Sequence, residues 1–339
     1  MIGCVPPCPQ LFNHDFYLFL IKDGDPVTET ESSSKFDVGA FLSIIRPQNC
    51  FIGGLTVIAG LAIAYNIQFP LGDSAGLSAF LYLFLYGYMT YFFVAAGGNV
   101  VNDIYDIEVD KINRPHRALP SGRMTVRQAW AYVGLLSILG ILFAWIPGRL
   151  ISALIVIVFE IIGYAYAAKV KTLGLAGNFM VAFSFAFGVL YGSMILAEVT
   201  ALSVWYAIPI PAWLFFFTAF LILQARETIK GAEDVEGDEI RDVRTIARIY
   251  GYKPAAIVAG TLNFLGVLSY VLIWIWGFAD YALWPLLILG AGIVAGAGIL
   301  PLMKPDDKKK LMIASTLDKV GALVGLIAFV IIPLYAIWF

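Results

Sequence analysis

The run NDIYDIEVD carries Asn102, Asp103, Asp106 and Asp110 directly after a long apolar stretch. Asn102, Asp106 and Asp110 are spaced i, i+4, i+8, and Asp103 joins the last two at i+3 and i+7. In a helix these side chains share one face. Like charges stacked in this way repel unless something positive neutralises them. A second acidic run, RETIKGAEDVEGDEIRD, repeats the device: Asp234, Asp238 and Asp242 recur at i, i+4, i+8, with Glu227 further in. Carboxylates with no His or Cys among them favour a hard cation. Mg²⁺ in particular combines carboxylates with phosphate oxygens and water. Lys111, Arg114, Arg117, Arg226, Lys230 and Arg241 are interleaved with the acids. That mixture suits a polyanion bridged by metal, with Lys or Arg taking the remaining phosphate charge. The chemistry this points to is departure of a metal-neutralised diphosphate. An allylic cation left behind needs a dry pocket, and Tyr91, Phe92, Tyr164 and Tyr166 offer aromatic faces to it.

Such a site needs elements that hold it at a membrane surface. The chain has 339 residues, 60% hydrophobic and 14% charged; soluble domains are nearer about 25% charged. Nine segments are long and apolar enough to span a bilayer, at roughly 43–65, 76–98, 128–146, 150–168, 174–197, 204–224, 254–277, 282–303 and 319–338. All of the 22 lysines and arginines except Arg149 fall on the side of the N-terminus. The positive-inside rule makes that side cytoplasmic and puts the C-terminus outside. The connections after spans 2 and 6 are the long ones, about 30 residues each, and both start with an acidic run. The expected fold is therefore an all-α integral membrane protein, with nine helices in residues 37–339. Residues 1–36 read as a flexible cytoplasmic extension. Cys4, Cys8 and Cys50 form no C-x-x-C pair, and only His14 and His116 occur, which disfavours disulfide or histidine–metal chemistry. No Walker P-loop or G-x-G-x-x-G element is present, and no nucleic-acid partner is expected.

NDIYDIEVD followed by KINRPHRALPSG resembles the first signature of the UbiA-type intramembrane prenyltransferases, and RETIKGAEDVEGD resembles the second. IIRPQN at 44–49 and YAAKVKTLGLAGN at 166–178 are similar to two further elements of that family. The resemblance covers roughly residues 40–339. It implies nine helices around a central cavity, with a cytoplasmic cap from the loops after helices 2 and 6. It also implies transfer of a prenyl group from a prenyl diphosphate to a lipid-soluble acceptor. By the same likeness Asn102, Asp106 and Asp110 would hold one Mg²⁺, with Asp103 close by, and Asp234 and Asp238 the other. Lys111, Arg114 and Lys169 would be diphosphate contacts or their neighbours, Lys230 would reach a phosphate, and Asn49 would line the cavity near the reaction centre. Tyr166 and Asn178 belong to the matched element that would bind substrate. The pattern is most similar to the archaeal branch, which joins a geranylgeranyl group to geranylgeranylglyceryl phosphate. Quinone-, haem- and chlorophyll-making members share much of it.

One position departs. The second motif of the subgroup reads D-x-x-D-x-x-x-D, and its first place here is Gly231. Glu227, Glu233 or Asp242 would compensate, or the ligand is dispensable, or the glycine opens space for a head group. Restoring aspartate there is expected to keep or raise activity. A transporter is the rival reading, but transporters place ionisable groups near the midplane. These clusters lie at helix ends, and Glu160 is the clear mid-helix acid.

Overall fold

The structure, a computed structural model, describes residues 37–68, 74–146, 149–200, 208–236, 243–275 and 284–338. The expectation for residues 1–36 lies outside them. Asp37–Phe339 forms one unit. Its helices are α1 (Val38–Ile44), α2 (Pro47–Gln68), α3 (Ser74–Tyr105), α4 (Ile107–Asn113), α5 (Val126–Trp145), α6 (Leu150–Ala168), α7 (Leu175–Thr200), α8 (Ile210–Glu233), α9 (Ile246–Tyr250), α10 (Tyr252–Ile275), α11 (Trp284–Met303) and α12 (Lys308–Trp338). Among the described residues nine of these are long and apolar enough to cross a membrane: all but α1, α4 and α9. With no water in the bilayer core, each span satisfies its backbone within its own helix.

Helix α2 is the hub. Some 72% of its span is buried, against 22% for α5 and α6. It packs on α7, α3 and α12, while α8 packs on α10, α7 and α12. Lipid supplies no hydrophobic drive between apolar helices, so close contact must come from small residues. A Cβ on Gly60 would lie 1.9 Å from the Val189 carbonyl oxygen, and one on Gly192 would lie 2.0 Å from that of Val57. The Ser193 hydroxyl donates to the Gly60 carbonyl at 2.8 Å across the same seam. Helix α2 and helix α7 therefore touch backbone to backbone.

Hydropathy places the membrane segment but not the end of the helix. Helix α3 runs seven residues past the expected end of its span, and α8 runs to Glu233. Both acidic runs thus begin on helix. Helix α12 starts at Lys308, well before the expected 319, because polar side chains continue a helix into the surface layer. The first acidic run is not one straight helix. Asp106 sits between α3 and α4 at φ −95° and ψ 3°. The hydrogen-bond ladder still passes through it, from Asp106 N–H to Asn102 and from Asp110 N–H to Asp106.

Two satellite clusters cover the acidic end. Ala118, Leu119 and Met124 of the loop after α4 pack with Ala40, Ile44 and Val100. Ile229 and Ala232 of α8 pack with Ala247, Ala255, Leu311 and Ala314. The chain re-enters at Thr125, whose hydroxyl accepts from the Gln128 N–H at 3.2 Å while Gln128 accepts from the Thr125 N–H at 2.8 Å.

At the opposite end Arg149 is wholly buried, and it donates to the Phe143 carbonyl at 3.3 Å. Burial pulls its pKa down, and Tyr191 and Glu198 oppose that shift. Glu198 also closes the N-terminus of α6, accepting from the Ile151 N–H at 2.8 Å and the Ser152 hydroxyl at 2.5 Å. Mid-membrane, Glu160 is hydrogen-bonded by Ser137 of α5.

Gly192→Ala is expected to destabilise the protein by about 1–3 kcal/mol, because the intruding methyl meets backbone that cannot rotate away. Gly134→Ala, with nothing within 4 Å of the added carbon, should leave the thermal midpoint in detergent unchanged or slightly raised.

Candidate active site

The site begins at the junction of α1 and α2. Pro47 opens α2 and suits a first helical position. Arg46 before it has φ 51°, the left-handed region, which costs a non-glycine residue about 1–3 kcal/mol. The Ile45 carbonyl holds the turn, accepting from the Asn99 amide at 2.8 Å and the Cys50 thiol at 3.2 Å. So held, Arg46 donates to Asp103 Oδ1. Arg117, brought in by the packed loop after α4, donates from Nη1 to Asp103 at 3.1 Å and to Asp110 at 2.6 Å. Both carboxylates are only 5% exposed. The positive charge this acidic face demands is supplied within the chain. Asp103 is a counter-ion shared by two guanidinium groups, while the half-buried Asn102 and Asp106 sit at the kink between α3 and α4.

In the second run Glu227 accepts from Arg226 at 3.0 Å and from Lys230 at 3.3 Å. Asp234 caps the C-terminus of α8. Asp238, Arg241 and Asp242 lie outside the described residues. Gly231 is buried, and a Cβ on it would meet Thr245 at 3.0–3.1 Å. Thr245 caps α9 by accepting from the Arg248 N–H. The neighbour that a side chain at this position would meet is therefore Thr245. Glu233 Oε1 and Arg226 Nε are buried with no hydrogen-bond partner. Tyr166 ties the two runs to one space, since its phenol lies within electrostatic reach of Glu227 and of Asp106.

A cavity of about 490 Å³ opens beside these groups. Its polar lining includes Asn49, Asn99, Arg226, Glu227, Lys230, Asp318 and Lys319. Its apolar lining includes Ile52, Phe185, Val189, Phe215, Tyr270 and Leu326, with Gly290, Ala291, Gly321, Ala322 and Gly325 from α11 and α12. Lys230 and Phe215 both line it from α8 and are about 22 Å apart along the axis. One end can hold charge and the rest is hydrocarbon-like.

The expected residues divide. Asn49 and Lys230 line the cavity, as does Tyr91. Phe92, one position further round α3, packs edge-on against Phe51 and Phe93 instead. Tyr164 is exposed and receives the Tyr105 hydroxyl at 3.1 Å, outside the cavity lining. Lys111 pairs with Glu108 at 2.8 Å on the exposed side of α4. Arg114 and Lys169 are exposed at the C-terminal caps of α4 and α6. Asn178 donates to the Glu227 backbone carbonyl at 3.5 Å and so ties α7 to α8. Arg46, Asn99, Asp318 and Lys319 were not among the expected site residues, and Arg117 and Arg226 were expected only as cations interleaved with the acids. Arg46 stands inside a quoted motif, so proximity in sequence was an available signal; for Asp318 and Lys319 the signal was charge within an apolar segment, hidden because the expected span began only at 319.

Among the described residues no three His, Cys, Asp or Glu side chains come together as a ready metal shell. The donor chemistry nevertheless fits a hard cation. Every acidic donor is a carboxylate, and Asp110 already holds a cationic nitrogen at 2.6 Å.

Residues 53–317 match the model of the UbiA prenyltransferase family, and the chain belongs to that family. The digeranylgeranylglyceryl phosphate synthase of Thermococcus kodakarensis is 32% identical over 87% of this chain and 98% of its own. A solved digeranylgeranylglyceryl phosphate synthase superposes with a TM-score of 0.69 at 28% identity, covering 88% of this chain and 99% of the other. A UbiA homolog from Archaeoglobus fulgidus bound to GPP and Mg²⁺ shares the fold, with a TM-score of 0.55 at 15% identity over 86% of this chain and 99% of that one. The protein is thus an integral membrane prenyltransferase, not a transporter.

Arg117→Met leaves the buried Asp110 without its guanidinium and Asp103 with Arg46 alone, and should cost about 3 kcal/mol. Lys111→Met removes only an exposed i, i+3 pair worth roughly 0.5 kcal/mol or less. Thermal unfolding of the two variants in detergent compares them directly. Gly231→Asp, on the geometry beside Thr245, should lower stability by about 1–3 kcal/mol and reduce activity, reversing the expectation from the motif.

Proposed function

We propose that the protein transfers a geranylgeranyl group from geranylgeranyl diphosphate to the free hydroxyl of geranylgeranylglyceryl phosphate, forming the second ether bond of an archaeal membrane lipid. The observation that carries this reading is the cavity, lined by Arg226, Glu227 and Lys230 of the second run at one end and by a long apolar wall beyond them. The identity of about a third to curated synthases of that reaction supports the choice of acceptor.

In this reading Asn102, Asp106 and Asp110 hold one Mg²⁺, and Asp234 and Asp238 hold the other. Bound Mg²⁺ neutralises the diphosphate and makes it a good leaving group. Arg226 and Lys230 take the remaining diphosphate charge at the rim of the cavity. The apolar lining buries the prenyl tail and excludes water from the allylic carbon. Tyr91 presents its ring to the charge that develops as the carbon–oxygen bond to diphosphate breaks. Asn49 orients the acceptor, whose oxygen forms the new ether bond as its proton passes to the departing diphosphate. Asp103 serves by keeping Arg46 and Arg117 in place. The acidic end faces the cytoplasm, with the N-terminus and the cap on that side, in accord with the distribution of lysine and arginine.

Asp110→Asn, folded but lacking one carboxylate, should lose activity by at least about a hundredfold, as should the unaltered protein after EDTA treatment. The decisive assay supplies Mg²⁺ and geranylgeranyl diphosphate with geranylgeranylglyceryl phosphate beside 4-hydroxybenzoate, and counts prenyl additions by mass spectrometry. Product on the glyceryl phosphate is the expected result. Product on the aromatic ring alone would move the protein to quinone-type synthesis.

A further inference from the structure

Three cations line the cavity: Arg226, Lys230 and Lys319. Arg226 and Lys230 both bond to Glu227. Lys319, among the described residues, has no ion pair or hydrogen bond. Its neighbour Asp318 does not serve as a partner: adjacent helical residues point apart, and Asp318 is 0% exposed and accepts from the Asn263 amide at 2.9 and 3.2 Å. Lys319 itself is exposed. It lies about 16 Å along α12 from Lys308, inside the segment long and apolar enough to span. An ammonium in a spanning segment is costly and is normally retained for a ligand or a pathway. Across from it, Asn49 of α2 is likewise exposed and likewise lines the cavity, and α2 packs on α12. An unclaimed positive charge therefore stands in the cavity lining, on a different helix from the Arg226–Glu227–Lys230 group.

We infer that Lys319 binds the phosphate monoester of the acceptor lipid, a deepening that rests on the proposed reaction. Two anionic substrates must meet in one cavity, and their phosphates repel unless each has its own cation. The diphosphate takes the acidic end with Arg226 and Lys230, and Lys319 takes the acceptor phosphate from the α12 wall of the cavity. The acceptor hydroxyl is then directed inward while its own tail stays toward the lipid.

The test compares Lys319→Met and Lys319→Arg with the unaltered protein, using geranylgeranyl diphosphate as donor and two acceptors. These are geranylgeranylglyceryl phosphate and its unphosphorylated counterpart, geranylgeranylglycerol. Lys319→Met should raise KM for the phosphorylated acceptor about tenfold or more, with a much smaller effect on KM for the diphosphate and on turnover of geranylgeranylglycerol. Lys319→Arg should recover most of the loss. Direct titration of geranylgeranylglyceryl phosphate in EDTA, followed by intrinsic fluorescence, should show the same weakening without turnover. Unchanged KM and affinity in Lys319→Met would overturn the assignment and leave Lys319 an anchor to bilayer head groups. Equal losses with both acceptors would also overturn it. If the unaltered protein forms no product on geranylgeranylglyceryl phosphate, the proposed reaction fails. The titration then judges Lys319 alone: binding that does not depend on Lys319, or no binding, overturns the assignment.

Discussion

The acidic end depends on one shared charge, Asp103 between Arg46 and Arg117. A carboxylate at the end of a spanning helix is expensive to bury alone. Here it collects one guanidinium from the turn before α2 and another from the loop after α4. That single requirement fixes three parts of the chain. The turn must present Arg46, which explains a left-handed backbone held by Asn99 and Cys50. The loop must fold back so that Arg117 arrives, which the burial of Ala118, Leu119 and Met124 accomplishes. The ladder must kink at Asp106 instead of running straight, so that Asp110 meets the same guanidinium as Asp103. Stability and site geometry are here the same interaction.

The other half of the site is built with fewer charges. Glu227 gathers Arg226 and Lys230 at the rim, and below them α8 turns apolar. The glycines and alanines of α11 and α12 leave volume that larger side chains would fill. The contact between α2 and α7 is the opposite case, with no volume left at all. Small residues therefore do two different things in this bundle: they close one seam and open one cavity.

How much of this was legible in the sequence follows from what each signal measures. Hydropathy integrates over about 20 residues, so nine spans could be read, but the extension of α3, α8 and α12 beyond the bilayer segment could not. Helical spacing grouped Asn102, Asp103, Asp106 and Asp110 on one face, yet spacing carries no information on which carboxylate a distant arginine would claim. Arg46 and Asp103 are far apart in the chain and meet only through folding. The vacancy at Gly231 looked like a missing ligand because a motif compares positions within one strip of chain. The structure adds Thr245, a neighbour from another element, and the vacancy becomes a packing contact. Asp318 and Lys319 fell at the boundary of the ninth expected span and drew no functional reading, since nothing local distinguishes a lysine facing lipid from one beside a cavity.

Arg149 is the exception to the charge pattern, and its burial changes what the exception means. Locked against the Phe143 carbonyl beside Tyr191 and Glu198, it contributes no free base to the surface at its end of the molecule. During assembly, the short connections at that end would carry almost nothing that a membrane resists. The opposite end bears nearly every lysine and arginine and is correspondingly hard to move across. An arginine that looks like an error of topology is a single charge set against all the others at the opposite end, too few to compete for the sense in which the chain is threaded, and folding then encloses it.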